Sequence, residues 1–200
     1  MNIKSYAVEA PVLTSRRLLM ASLLAAGAMI SAPALAASVP VGSTNITEAD
    51  VLAAQQAWGN ALVQISRDFE AGGIRRARAT AERVLDSAYA YNMGPVLFKP
   101  TLTVAPQTFR TTREGALAYF VGNNRAFPND SGFALKGWRG FEVTNAAIQL
   151  HGNTALSMGN VTLTDRNGNR TTVDKTWGYV RDDQGNLRIM LHHSSLPYSN

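Results

Sequence analysis

The chain contains no cysteine, so neither a disulfide framework nor thiolate chemistry is open to it. Charge is scarce as well. Asp, Glu, Lys and Arg make up 16% of its 200 residues, against about a quarter in an ordinary soluble domain. Only "GGIRRARATAER" (residues 72–83) is locally basic, and on a helix that run reads as a solvated face. The formal net charge of +5 is mild and scattered, which argues against a nucleic-acid partner. Histidine occurs three times, at His151, His192 and His193. There is no H-E-x-x-H, no G-x-S-x-G and no glycine-rich phosphate loop. The sequence signatures of zinc peptidases, α/β-hydrolases and P-loop enzymes are therefore missing. The longest uncharged apolar core, "LLMASLLAAGAMI" from Leu18 to Ile30, has 13 residues, short of the roughly 20 that a membrane-spanning helix needs.

That short run has a pattern of its own. Lys4, Arg16 and Arg17 precede it, and the small-residue step Ala34-Leu35-Ala36 follows. A basic flank, a short apolar core and an Ala-x-Ala site predict a signal peptide over 1–36, cleaved after Ala36, and export to the periplasm. "TSRRLLM" resembles a twin-arginine signal. An uncleaved anchor is the competing reading, because no charge stands between Leu18 and Glu48, but Pro33, Pro40 and Gly42 interrupt that stretch. Residues 37–46 read as a linker and 47–200 as one domain, with no membrane attachment after cleavage. The signal holds three of the 19 bases and one of the 14 acids, so the mature chain stays only weakly basic.

From Thr47 the apolar residues recur at helical spacing. Thr47 is a plausible N-cap with Asp50 three residues on, and Val51, Leu52, Trp58, Leu62, Ile65 and Phe69 form one stripe. Gly72-Gly73 stops this helix, and a second follows with Ile74, Ala77, Ala81, Val84, Leu85 and Ala88 on one side. Gly94-Pro95 forces a turn, "VLFKPT" is a short extended segment held straight by Pro100, and a third helix starts near Thr112. From Gly140 the period changes to strands. "FEVTNAAIQL", "NTALSMGNVTLTD", "RTTVDKTWGYVRD" and "NLRIMLHHSS" are separated by His151-Gly152-Asn153, Asn167-Gly168 and Gln184-Gly185, which are hairpin signals. Helices followed by an antiparallel meander predict an α+β domain. A strongly curved sheet around a long helix would leave a pocket inside the cone.

The last strand, "LRIMLHHSS", carries the candidate chemistry. Alternation puts His192 and Ser194 on one face with Met190, and His193 and Ser195 on the other with Leu187, Ile189 and Leu191. Adjacent histidines on opposite faces make a poor metal site, since a catalytic zinc wants about three protein ligands. Taken alone, the His192–Ser194 pair is as well read as an interface or a hydrogen-bonded core position. Tyr89, Tyr91, Thr101 and Tyr119 read equally as packed residues whose hydroxyls meet the backbone, and Trp58 and Trp177 as core. An apolar outward face on the last strand predicts a homodimer, with larger association-domain oligomers as the alternative.

Three segments together point further. "AYNMGPVLFKPT", "REGALAYFVGNN" and "HHSSLP" closely resemble the iota-class carbonic anhydrases, which are built on the association domain of calmodulin-dependent kinase II, a version of the cone-shaped NTF2-like fold. The resemblance spans about residues 47–197 and agrees with the α+β order derived independently. It implies reversible hydration of carbon dioxide to bicarbonate and a proton. Position by position, it also implies a catalytic set of Thr101, Tyr119, His192 and Ser194, in which strand parity independently pairs the last two. The family is regarded both as metal-free and as zinc- or manganese-dependent; the ligand inventory here favours no metal and no other cofactor. Two further classes remain open at this level. One is a non-catalytic module of the same fold that binds a small ligand or oligomerises. The other is an isomerase or cyclase, for which a pocket carboxylate is not evident.

Overall fold

In the computed structural model, which describes residues 43–199, Thr47 starts the first helix as its sequence predicts. The Thr47 hydroxyl accepts from the Asp50 amide, and the Asp50 carboxylate accepts from the Thr47 amide. That capping box satisfies two amides the helix leaves open. Helix α1 (Glu48–Ala88) is two helices run together at a kink, where Gly73 takes φ 68° and ψ −166°. Only glycine adopts that backbone without steric cost. The Asp68 carboxylate accepts from Gln64 on its own side of the kink and from Arg76 and Thr80 beyond it, at 3.0, 2.8 and 2.7 Å. One buried acid therefore ties the two halves. Val51, Gln55, Trp58, Leu62 and Ile65 form the inward stripe. Leu52, one residue off that stripe, and Phe69, in the last turn before the kink, are 45% and 36% exposed and do not join it.

After α1 come β1 (Leu97–Lys99), α2 (Arg113–Val121), a 3-10 turn (Phe133–Leu135), β2 (Trp138–His151), β3 (Thr154–Asp165), β4 (Arg170–Arg181) and β5 (Leu187–Ser195). The strand order is β1-β5-β4-β3-β2. Strands β2 to β5 form the expected meander, its hairpins turning at the predicted glycines. The short β1 adds in parallel to the edge of β5, pairing Phe98 with His192 and Lys99 with His193. Thr112 caps α2 by accepting from the Gly115 amide. The sheet folds around α1 so closely that a Cβ on Gly59 would sit 2.2 Å from the Phe141 ring, and only glycine permits that approach. The predicted signal (1–36) and most of the predicted linker (37–46) lie outside the described residues.

Strand β5 corrects one expectation. Gly178 pairs with Leu191, but Tyr179 pairs with Ile189, so Met190 is an extra residue, a β-bulge. A bulge reverses the alternation beyond it. Ile189, expected on the outer face, is therefore 2% exposed and in the core. Met190, expected beside His192, only borders the core. Toward the C-terminal side of the bulge the parity holds: His192 and Ser194 are buried, and His193 is exposed.

Candidate active site

The inner face of the sheet presents two paired rows near the end of β5. Phe98, His192 and Trp177 are neighbours across β1, β5 and β4, and Ser194 pairs with Lys175 in the next row. Pro100 ends β1 and turns the chain so that Thr101 Oγ1 meets Ser194 Oγ at 2.6 Å. Lys99 Nζ donates to the Ser194 carbonyl at 3.0 Å, which fixes the strand end. Helix α2 closes the space by laying Tyr119 over Phe133, with ring centroids 5.4 Å apart, and edge-on to Phe98. Thr101, Tyr119, His192 and Ser194, predicted from three distant segments, thus line one cavity. It is small and closely walled by Phe98, Pro100, Phe120 and Phe133. A larger cavity of about 510 Å³ lies beside Tyr91, Asp86 and Arg113. It is a surface hollow edged by an exposed ion pair, without convergent buried polar groups, so the small pocket is the better candidate.

Each polar group in the small pocket has a defined state. The Tyr119 hydroxyl is buried and has no hydrogen-bond partner among the described residues. Burial raises its pKa, while the backbone of Leu102 and the hydroxyl and backbone of Thr101 lie near enough to oppose the rise. It is therefore a protonated donor facing the cavity. His192 is 2% exposed. Its Nδ1 lies 2.9 Å from Tyr89 Oη and its Nε2 2.9 Å from Lys175 Nζ, and its ring stacks on Phe98 at 4.4 Å. Burial first, and Lys175 second, hold its pKa well below the usual imidazole value. His192 is neutral at physiological pH. Lys175 is itself buried and, by desolvation, is drawn down to about 7.

Three residues that line or brace this pocket do not stand out as functional in the sequence. Tyr89 reads there as a packing tyrosine with a backbone partner. That holds for Tyr91, which donates to the Arg110 carbonyl, but Tyr89 instead meets His192 and accepts from Trp58 Nε1 at 3.0 Å. Trp58 is core, as expected, but it also orients Tyr89. Its ring and that of Trp177 flank Lys175 Nζ at 4.8 and 5.5 Å. Lys175 had a legible signal: in "TVDKTWGYV" it alternates in phase with Val173, Trp177 and Tyr179, a charge among inward apolar positions. The zinc or manganese alternative does not fit the donor set. Among the described residues no three His, Asp or Glu side chains converge, and both His192 nitrogens are already engaged.

Residues 49–196 match the family described as metal-independent carbonic anhydrase. A metal-independent carbonic anhydrase of Nostoc sp. strain PCC 7120 is 62% identical over 159 residues, covering 80% of this chain and 78% of that protein. A crystal structure of an iota-carbonic anhydrase from a cyanobacterium, complexed with bicarbonate, superposes with a TM-score of 0.80 at 60% identity, over 82% of this chain and 99% of the other. A putative calcium/calmodulin-dependent kinase II association domain from Xanthomonas campestris gives a TM-score of 0.51 at 22% identity, over 82% of this chain and 100% of that one. That last likeness concerns the fold alone.

Proposed function

Because this chain belongs to the metal-independent carbonic anhydrases, we propose that it carries out its reaction in the pocket of Thr101, Tyr119, His192 and Ser194. The reaction is the interconversion of carbon dioxide and water with bicarbonate and a proton. The observation that carries the assignment is the Tyr119 hydroxyl, a buried donor with nothing to donate to. Such a group costs about 1–3 kcal/mol, and a ligand oxygen completes it. The bicarbonate bound by the 60% identical relative is the ligand we carry over.

A zinc enzyme makes its nucleophile by lowering the pKa of bound water to about 7. Without a metal, the barrier must fall through hydrogen bonds already aimed at the charge that develops in a water-poor site. Tyr119 supplies one such bond. The Thr101–Ser194 pair has two hydroxyl hydrogens and spends one between them, leaving one hydrogen for a substrate oxygen and lone pairs to hold the attacking water. Neutral His192, clamped at both nitrogens, orients the site and carries no charge. Stopped-flow hydration of carbon dioxide by the mature protein, before and after exhaustive chelation, is the test. Equal rates are expected; loss on chelation with recovery on added zinc or manganese would overturn the metal-free reading.

We further propose that residues 1–36 direct export to the periplasm and are removed after Ala36. Intact-mass measurement of the exported protein should place its first residue at Ala37; retention of Met1 rules this out. The outer sheet face supports a homodimer. Leu97, Leu191, Gly178 and Leu156 are paired in one row across β1, β5, β4 and β3, and Met158 stands in the adjacent row. Leu97, Leu156 and Met158 are 62%, 42% and 59% exposed, an apolar band of the kind a second copy covers.

A further inference from the structure

A series of hydrogen bonds runs through the pocket wall, from Trp58 Nε1 to Tyr89 Oη, from Tyr89 Oη to His192 Nδ1, and from His192 Nε2 to Lys175 Nζ. All four side chains are buried, so every hydrogen in the series needs an acceptor. An indole N–H only donates, and so does an ammonium. If Lys175 is an ammonium, it donates to Nε2, and the ring hydrogen sits on Nδ1 and points at Tyr89 Oη. Trp58 donates to that same oxygen, and the phenol hydrogen of Tyr89 then has no acceptor among the described residues. If Lys175 is an amine, Tyr89 donates to Nδ1 and the Nε2 hydrogen points at the Nζ lone pair. Trp58, Tyr89 and both ring nitrogens are then satisfied, and only the two amine hydrogens are left, to the indole faces of Trp58 and Trp177. The bonding pattern favours the amine.

The surroundings leave both forms within reach. Nζ has no carboxylate partner among the described ion pairs. Among the described residues, His192 from β5 is bonded to it and Tyr119 from α2 lines the same pocket, both uncharged near neutral pH. Desolvation brings its pKa to about 7, while the indole faces of Trp58 and Trp177 make the cation tolerable.

We propose that Lys175 is the group that takes up and returns the proton of the reaction: the pocket rests with a Lys175 amine and holds bicarbonate opposite a Lys175 ammonium. This rests on the pocket assignment made above. The oxygen of the pocket water bonds to the carbon of carbon dioxide, and one C=O π pair moves onto its oxygen. One O–H bond of the water breaks, and its proton bonds to the Nζ lone pair, which turns from the Nε2 hydrogen to take it. Three neutral species become a bicarbonate–ammonium pair, with nothing oxidised or reduced. Dehydration is the reverse. When bicarbonate leaves, the ammonium gives its proton to bulk water. The pocket thus has a positive charge only while its contents are negative, which suits a site that must admit an apolar gas and release an anion.

The sequence contains only four lysines, so a lysine ¹³Cε titration of the labelled protein can be resolved. One signal, absent from Lys175→Met, should titrate near pH 7, and saturating bicarbonate should move its midpoint upward. Lys175→Met and Lys175→Arg should each lower kcat/KM for hydration by a factor of about 10² or more. Arginine fails too because a guanidinium does not release its proton. A Lys175 signal titrating near the ordinary value of about 10.4, a midpoint indifferent to bicarbonate, or full activity of Lys175→Arg would each overturn the proposal. If Lys175→Met does not fold, Lys175→Arg assigns the signal and the wild-type titration decides. A wild type that fails to hydrate carbon dioxide sinks the pocket assignment itself. A normal rate with an ordinary Lys175 titration sinks only this proposal.

Discussion

Tyr119 separates chemistry from packing by a single oxygen. Its ring is held by Phe133 and Phe98, and its hydroxyl has no hydrogen-bond partner among the described residues. Tyr119→Phe should therefore leave the melting temperature unchanged or slightly raised while lowering hydration by a factor of about 10² to 10³. The serines give the sharper contrast. Ser194→Ala removes the partner of Thr101 and should cost a similar factor. Ser195→Ala, pointing away from the cavity, should retain nearly full activity in the same stopped-flow assay. Equal losses at the two positions would mean that the parity of β5 is misassigned at its end. The His192 ring matters through what it touches, since its depressed pKa removes it as a charge carrier near neutral pH.

At the scale of elements, α1 and β5 each contain one irregularity that the rest of the fold depends on. In α1 it is the Gly73 kink, braced by Asp68. The Thr80 hydroxyl is the largest cause holding the Asp68 pKa below its ordinary value, with Gln64 and Arg76 adding and burial opposing. A carboxylate with a depressed folded pKa contributes stability that is present above its unfolded value, about 3.9. That stability is lost as pH falls through the folded value. Asp68→Asn should thus destabilise the protein near pH 7 by an amount on the order of 1 kcal/mol, and the gap in melting temperature should close below pH 4. A gap that persists unchanged in acid would mean the carboxylate charge is not what braces the kink. In β5 the irregularity is the bulge at Met190. It lets Ile189 fill the core and still leaves His192 and Ser194 facing the pocket.

For the whole molecule, the curved sheet buries its inner face on α1 and leaves the Leu97–Leu191–Leu156 row and Met158 on the outside. The proposed homodimer follows from that band, and light scattering at micromolar concentration should give twice the protomer mass. Leu156→Asp should shift the mass to that of one chain and leave hydration activity largely intact, because the pocket lies on the other face. A monomer in the unmodified protein would dispose of the idea. Activity that disappears with the dimer would mean that the second copy braces the pocket.

The amino-acid order by itself determined the element sequence, the capping box at Thr47, the break at Gly72-Gly73 and the glycine hairpins. Each of these is a local choice between backbone conformations that particular residue types decide. It also placed His192 and Ser194 on one face, since alternation needs only a straight strand. With the family resemblance of "FKPT", "ALAYF" and "HHSS", Thr101 and Tyr119 joined them. Tertiary structure decided the rest. No residue type marks a bulge, so the inward turn of Ile189 was invisible in the pattern of β5. The bonds from Trp58 to Tyr89 to His192 to Lys175 join residues from α1, its C-terminal cap, β5 and β4. Periodicity reports which side of an element faces inward, but not how far apart two inward side chains stand. The packing of α1 on the sheet set that distance for Trp58 and Tyr89, and the β4–β5 register gave a buried lysine a histidine to bond instead of a carboxylate.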